Sequence, residues 1–169
     1  AVTEDTPYTF GIADFGFGDA DGHALDRVVF TTLPGVGTLR WNGNAVAAGD
    51  DVIAGDIALG LLTYTPPADA NGTALASLRF QVQDDGGTAL GGSNLDATPN
   101  TLTFNVVAVN DAPVGVVASL FPGLAEDEVN SGGKLVADFT ATTTDADAGA
   151  LKGIAITAVD KMIENGLFS

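Results

Sequence analysis

Three short stretches of this 169-residue chain gather acidic and amide side chains next to glycine or proline: Asp19-Ala-Asp21-Gly22, Asp84-Asp85-Gly86 and Asn110-Asp111-Ala112-Pro113. Such residues suit two chemistries. Asp and Asn accept backbone N–H groups and tolerate left-handed angles, so they build ordinary turns. They also ligate hard divalent cations such as calcium, which takes about six to eight oxygens from carboxylates, amides and carbonyls. Two carboxylates about 4 Å apart repel by roughly 4 kcal/mol at an effective dielectric near 20. Several of them converging on one joint would splay it unless a divalent cation lay between them.

Other chemistry has little to work with. The single histidine, His23, lies in the first acidic turn, and there is no cysteine. Neither a zinc centre nor a nucleophile with its base can be assembled from these residues. A carboxylate pair for glycoside hydrolysis needs a lined cleft that the sequence does not indicate. No glycine-rich phosphate loop of the required spacing occurs. The chain is therefore expected not to be an enzyme. With 22 acidic against 6 basic residues, its net charge of -16 repels nucleic acid and anionic lipid and attracts cations. No apolar run approaches the roughly 18 residues of a membrane helix, and the first residues do not read as a signal peptide. The reading is an internal piece of a secreted protein, extracellular or at the cell surface, with no membrane insertion.

Strands must position these turns. Hydrophobic residues make up 46% of the chain, enough for a core, and 22 glycines point to short strands joined by turns. In Ser77–Asp84, Leu78, Phe80 and Val82 alternate with Arg79, Gln81 and Gln83; in Thr101–Val109, Leu102, Phe104, Val106 and Ala108 fall on one face. A period of two marks strands with one buried face. Asn42-Gly43 predicts a tight hairpin turn, with Trp41 packing beside it. Ala24–Pro34 and Gly60–Pro67 add strands stopped by proline, and Ala54–Gly60 has room for one helical turn. Six or more short strands predict an all-β fold, a Greek-key β-sandwich.

The chain also repeats itself. Glu-Asp, Ala-Asp-Phe, Asp-Ala-Asp and Ala-Leu occur in that order from Glu4 and again from Glu126. The offsets are 126 − 4 = 122, 138 − 14 = 124 and 145 − 19 = 126, a drift that small loop insertions produce. Residues 1–113 thus read as one complete unit and 114–169 as the N-terminal part of a second. A half sandwich leaves unpaired edges, so the stretch from about residue 115 is expected to be less ordered or paired outside the chain.

Asp-Ala-Asp-Gly-His-Ala-Leu before a strand, Val-Gln-Asp-Asp-Gly-Gly at a strand end and Val-Val-Ala-Val-Asn-Asp-Ala-Pro-Val at the close resemble a cadherin-type repeat. The intervening residues are similar to repeats of large bacterial surface adhesins and of the chondroitin sulphate proteoglycan family. The resemblance covers residues 4–114 and, more faintly, 115–169. It implies a cadherin/immunoglobulin-like sandwich with calcium between successive units. The linker site it implies takes Glu4, Asp69 and Asn71 from the bottom of the first unit, Asn110 and Asp111 from the join, and Asp145 and Asp147 from the top of the second. It also implies an open upper site at Asp19, Asp21 and Asp84. Ala112 stands where the family has a further Asn, which removes one ligand. The acidic run Glu126–Glu128 would be the next bottom site, but without a following linker it reads as a solvated acidic run. The function implied is a calcium-stiffened spacer or adhesion module, partnered by neighbouring repeats of the same polypeptide. The alternative is a carbohydrate- or protein-binding sandwich that uses the long loop 84–100 as its contact surface.

Overall fold

The computed structural model of the chain describes residues 1–115 and 135–155. The chain divides into two compact units, Ala1–Asn110 and Asp111–Ser169.

The first unit is built almost wholly of strands: β1 (Val2–Thr3), β2 (Tyr8–Thr9), β3 (Leu25–Thr32), β4 (Thr38–Trp41), β5 (Asn44–Ala45), β6 (Asp51–Ile53), β7 (Leu62–Thr65), β8 (Gly72–Asp84) and β9 (Asn100–Val107). They form two sheets, ordered β1-β9-β8-β3-β6 and β2-β7-β4-β5. Every pairing between these strands is antiparallel except that of β1 with β9, which is parallel.

The alternation written in the sequence places the core. Leu78 and Phe80 of β8 are buried, and register sets Phe80 opposite Phe30 and Val82 opposite Val28. Tyr64 and Phe104, from different sheets, stack with ring centroids 4.0 Å apart. Phe15, from a single 3-10 turn at Ile12–Phe15, meets Phe80 edge-on at 5.0 Å and Phe10 at 5.6 Å. One continuous core therefore joins both sheets. Burial of these rings away from water is its main source of stability.

Turn chemistry follows the residue types. Asn42 and Gly43 both have positive φ, 47° and 78°, as a two-residue turn between right-twisted strands requires. Trp41 packs against the core, and its Nε1–H donates to Asp56 Oδ2 at 2.8 Å. Asp56 belongs to the helical turn α1 (Ala54–Ala58), whose Ile57 is buried. Gly37, at φ +77°, lies where an added Cβ would stand 2.6 Å from the Thr65 carbonyl oxygen and 2.7 Å from the Tyr64 ring.

One expectation needs correction. Ala108 does not face inward: β9 ends at Val107 and Ala108 is exposed. The alternation runs out because the pairing of β1 with β9 stops at Val107 and the next groups turn toward the side chain of Glu4.

In the second unit, Val114 and Thr144 form an isolated bridge with bonds of 2.8 and 3.0 Å, and α2 spans Val136–Thr140. The acidic run Glu126–Glu128 lies outside the described residues.

Candidate functional site

At one end of the first unit, the residues leaving β1 meet the loop before β8 and the end of β9. Glu4 is 1% exposed. Its Oε1 accepts the Val109 N–H at 2.6 Å and its Oε2 accepts Asn71 Nδ2–H at 2.9 Å, while its own N–H donates to the Val107 carbonyl at 3.0 Å. Among the described residues no lysine or arginine lies within ion-pair distance of this carboxylate. An ionised carboxylate has about four acceptor positions, and two donors leave it with capacity for a cation. The neighbouring Asp5, at φ 55°, accepts the Asp69 N–H at 3.1 Å, and Asp69 itself has φ 55°. Of the three residues that the resemblance grouped here, Asn71 bonds Glu4 directly, and Asp69 reaches the neighbouring Asp5 through its N–H. Asp5, which the resemblance did not include, is the residue that accepts the Asp69 N–H. Asn110 closes this unit and has partners of its own.

At the other end, Asp19 Oδ1 accepts the N–H groups of Asp21 and His23, both at 2.9 Å. His23 Nδ1 stands 3.4 Å from the same oxygen. The hydrogen bond from the His23 N–H is the chief cause that holds the Asp19 carboxyl below the ordinary aspartate range; desolvation opposes it, and the Asp21 N–H and the His23 charge add to it. Asp19, Asp21 and His23 each bring one ligand atom within 4.8 Å of the others. Asp84 Oδ1 accepts the Gly86 N–H at 2.6 Å, and an added Cβ at Gly86 would fall 2.7 Å from that oxygen and 3.0 Å from His23 Nδ1. The gap between Asp84 and His23 is therefore filled by a glycine that no side chain can replace without movement. Asp85 ties the two loops together: its Oδ1 accepts the Ala24 N–H at 2.9 Å, and its N–H donates to the Ala24 carbonyl. His23, which the sequence places in the first acidic turn, is an exposed loop residue whose Nδ1 stands with the acidic group. Its position two residues after Asp21 was the available signal.

The second unit carries its own acidic turn. Asp147 N–H donates to Asp145 Oδ1 at 3.0 Å, and Asp147 Oδ2 accepts the Asp111 N–H at 2.8 Å. The first bond matches the Asp21–Asp19 bond of the first unit. The match extends upstream: Asp14 Oδ2 accepts the Gly11 N–H at the head of its helical turn, and Asp138 Oδ2 accepts the Leu135 N–H at the head of α2. The sequence repeat is therefore also a repeat of local hydrogen bonding.

A cleft of about 640 Å³ opens beside the 84–100 loop, with Phe17, Asp96 and Asn94 among its walls. Among the described residues no helix is long and apolar enough to cross a membrane. Protein-family models, curated proteins and solved structures yield no match to this chain.

Proposed function

We propose that the chain is a calcium-stiffened spacer module of a repetitive extracellular adhesin. The first unit would be a Greek-key, cadherin-like sandwich, followed by the start of a second. Calcium would be held by Glu4, Asp69, Asn71 and Asn110 with Asp111, Asp145 and Asp147, and a second site would lie at Asp19, Asp21 and Asp84. The observation that carries this reading is the recurrence of the acidic turn. The same Asp-to-Asp hydrogen bond, downstream of the same aspartate-capped helical turn, occurs in both units. A module copied along a chain brings its ligand residues with it. The parallel pairing of the first strand with the last, and the passage of the chain from one sheet to the other at every step except β4 to β5 and β8 to β9, support the sandwich topology. The lack of disulfides leaves a stabilising role open to metal.

The test is a calcium titration by calorimetry on chelator-stripped protein, with magnesium as control and a melting curve at each end. Expected is saturable calcium binding with a dissociation constant of about 10⁻⁴–10⁻³ M. At roughly 100 times that constant, the gain is about 2.7 kcal/mol per site. Asp111→Ala should weaken the binding and leave the strand signal of the first unit intact. Absence of calcium heat with an unchanged melt would overturn the reading. The cleft beside loop 84–100 favours a second reading, a ligand-binding sandwich, and titration with candidate glycans while calcium is chelated separates the two.

A further inference from the structure

A cavity of about 280 Å³ opens at the β4–β5 hairpin, and its walls include Trp41, Asn42, Asn44, Val46 and Asp50. Cross-strand pairing explains the arrangement. Leu62 of β7, Trp41 of β4 and Asn44 of β5 stand opposite one another in register, so their side chains form one row on one face of the sheet. Leu62 is fully buried, Trp41 is half-buried and packs against the core, and Asn44 is exposed. The row thus runs from core to solvent, with the indole at the boundary and an amide beside it.

Backbone and side-chain bonds tie these walls in place. Trp41 Nε1–H donates to Asp56 Oδ2 at 2.8 Å, which orients the ring and uses its one polar atom. The Asn42 N–H donates to the Leu61 carbonyl at 2.9 Å, and Arg40 Nη1–H donates to the Gly43 carbonyl at 2.9 Å, so the turn is held on both sides. Asp50 Oδ2 accepts the Ala47 N–H at 2.8 Å. Hydrogen-bonding capacity remains. Among the described residues, the Asn42 side-chain amide and Asp50 Oδ1 have no partner, and the Asn44 amide makes one bond of 3.3 Å, to the Asn42 carbonyl.

An aromatic ring flanked by two amides and a carboxylate matches the chemistry of a pyranose. The C–H face of the sugar packs on the indole, and its hydroxyls, each both donor and acceptor, pair with the amides and the carboxylate. An organic cation fits less well, because one ring makes no cage and the amide N–H groups repel it. Anionic sugars are disfavoured by Asp50 and by the net charge of -16. Ligand pockets start at about 300 Å³, so a cavity this small takes a single ring.

We propose that this cavity binds one pyranose ring of a neutral glycan, with Trp41 as the stacking platform and Asn42, Asn44 and Asp50 bonding its hydroxyls. It shares no residue with the acidic turns or with the cleft beside loop 84–100. The test is made in excess chelator, where failure of the calcium reading has no bearing on it.

Trp41 is the only tryptophan, so its fluorescence reports occupancy of this cavity. The full chain is titrated with the methyl glycosides of glucose, mannose, galactose and N-acetylglucosamine, which invert single ring hydroxyls or replace one by an acetamide. At least one should change the emission saturably, with the dissociation constant of about a millimolar expected for a ligand of about a dozen heavy atoms. Asn44→Ala should weaken that binding about fivefold, the loss of one hydrogen bond. Asn42→Asp, which keeps a favoured hairpin turn but removes the amide donors, should do the same. No saturable change with any of the four glycosides overturns the proposal. So does a response that both variants retain in full, or one that tetramethylammonium reproduces. Sugar binding detected by calorimetry without any change in Trp41 emission also overturns it, and is the result expected if the sugar sits in the cleft beside loop 84–100.

Discussion

Replacing Glu4 by alanine removes a buried carboxylate that holds two donors, Val109 N–H at 2.6 Å and Asn71 Nδ2–H at 2.9 Å. Hydrogen bonds to a charged group contribute about 1.5–3 kcal/mol each. Val109 and Asn71 are both exposed, so water recovers part of each loss and the low end applies. Two bonds then cost about 3 kcal/mol, or about 10 °C in melting temperature for a unit of this size. Glu4→Gln keeps the volume and one acceptor, and should cost about 1 kcal/mol. Trp41, the only tryptophan, lies in the first unit and reports its unfolding by fluorescence in a urea titration. In chelator, a Glu4→Ala midpoint equivalent to less than about 0.5 kcal/mol of change would refute the reasoning, because the buried carboxylate would then hold nothing in place. Calcium extends the test: if Glu4 is also a ligand, the gap between wild type and Glu4→Gln widens when calcium is added.

Gly37→Ala should lower the stability of the first unit by about 2 kcal/mol or more in the same titration, because the new Cβ meets the Thr65 carbonyl and the residue already has positive φ. Asp19 gives a pH prediction. Its carboxyl is held below its ordinary range in the folded state, so the stability it contributes is present above the unfolded value, near pH 4, and is lost as the pH falls through the lower folded value. Following the Asp19 side chain by NMR should give a midpoint below that of a free aspartate; an equal or higher midpoint would contradict the His23 N–H bond as its cause.

The strands were legible because their determinants are local. Leu78 and Phe80 alternate with polar neighbours, and Asn42-Gly43 can hardly be read otherwise than as a hairpin turn. The acidic turn at Asp19 was legible for the same reason, since its partners are two and four residues away. The burial of Glu4 was not, because the Val109 N–H that fixes it lies 105 residues along the chain. Ala108 misled because alternation in a sequence does not show where a partner strand stops. The helical turn that carries Phe15 into the core was also hidden: its four residues are too few to show a period, and its start is set by Asp14 reaching back to Gly11.

β8 has a further consequence, one of measurement. It is a strand of 13 residues, with Asn71 immediately before it and Asp84 as its last residue, irregular between Gly72 and Ala76, where Ala74 has φ 52°. At about 3.3 Å per residue its regular part, Ala76–Asp84, spans roughly 30 Å. The two acidic ends of the first unit are thus fixed to opposite ends of one ruler. Residues inserted into the 84–100 loop leave that ruler unchanged, whereas two residues inserted within β8 would lengthen it by about 7 Å and keep every side chain on its own face. The length of one strand, rather than the size of the unit, sets the distance between the acidic turns at its two ends.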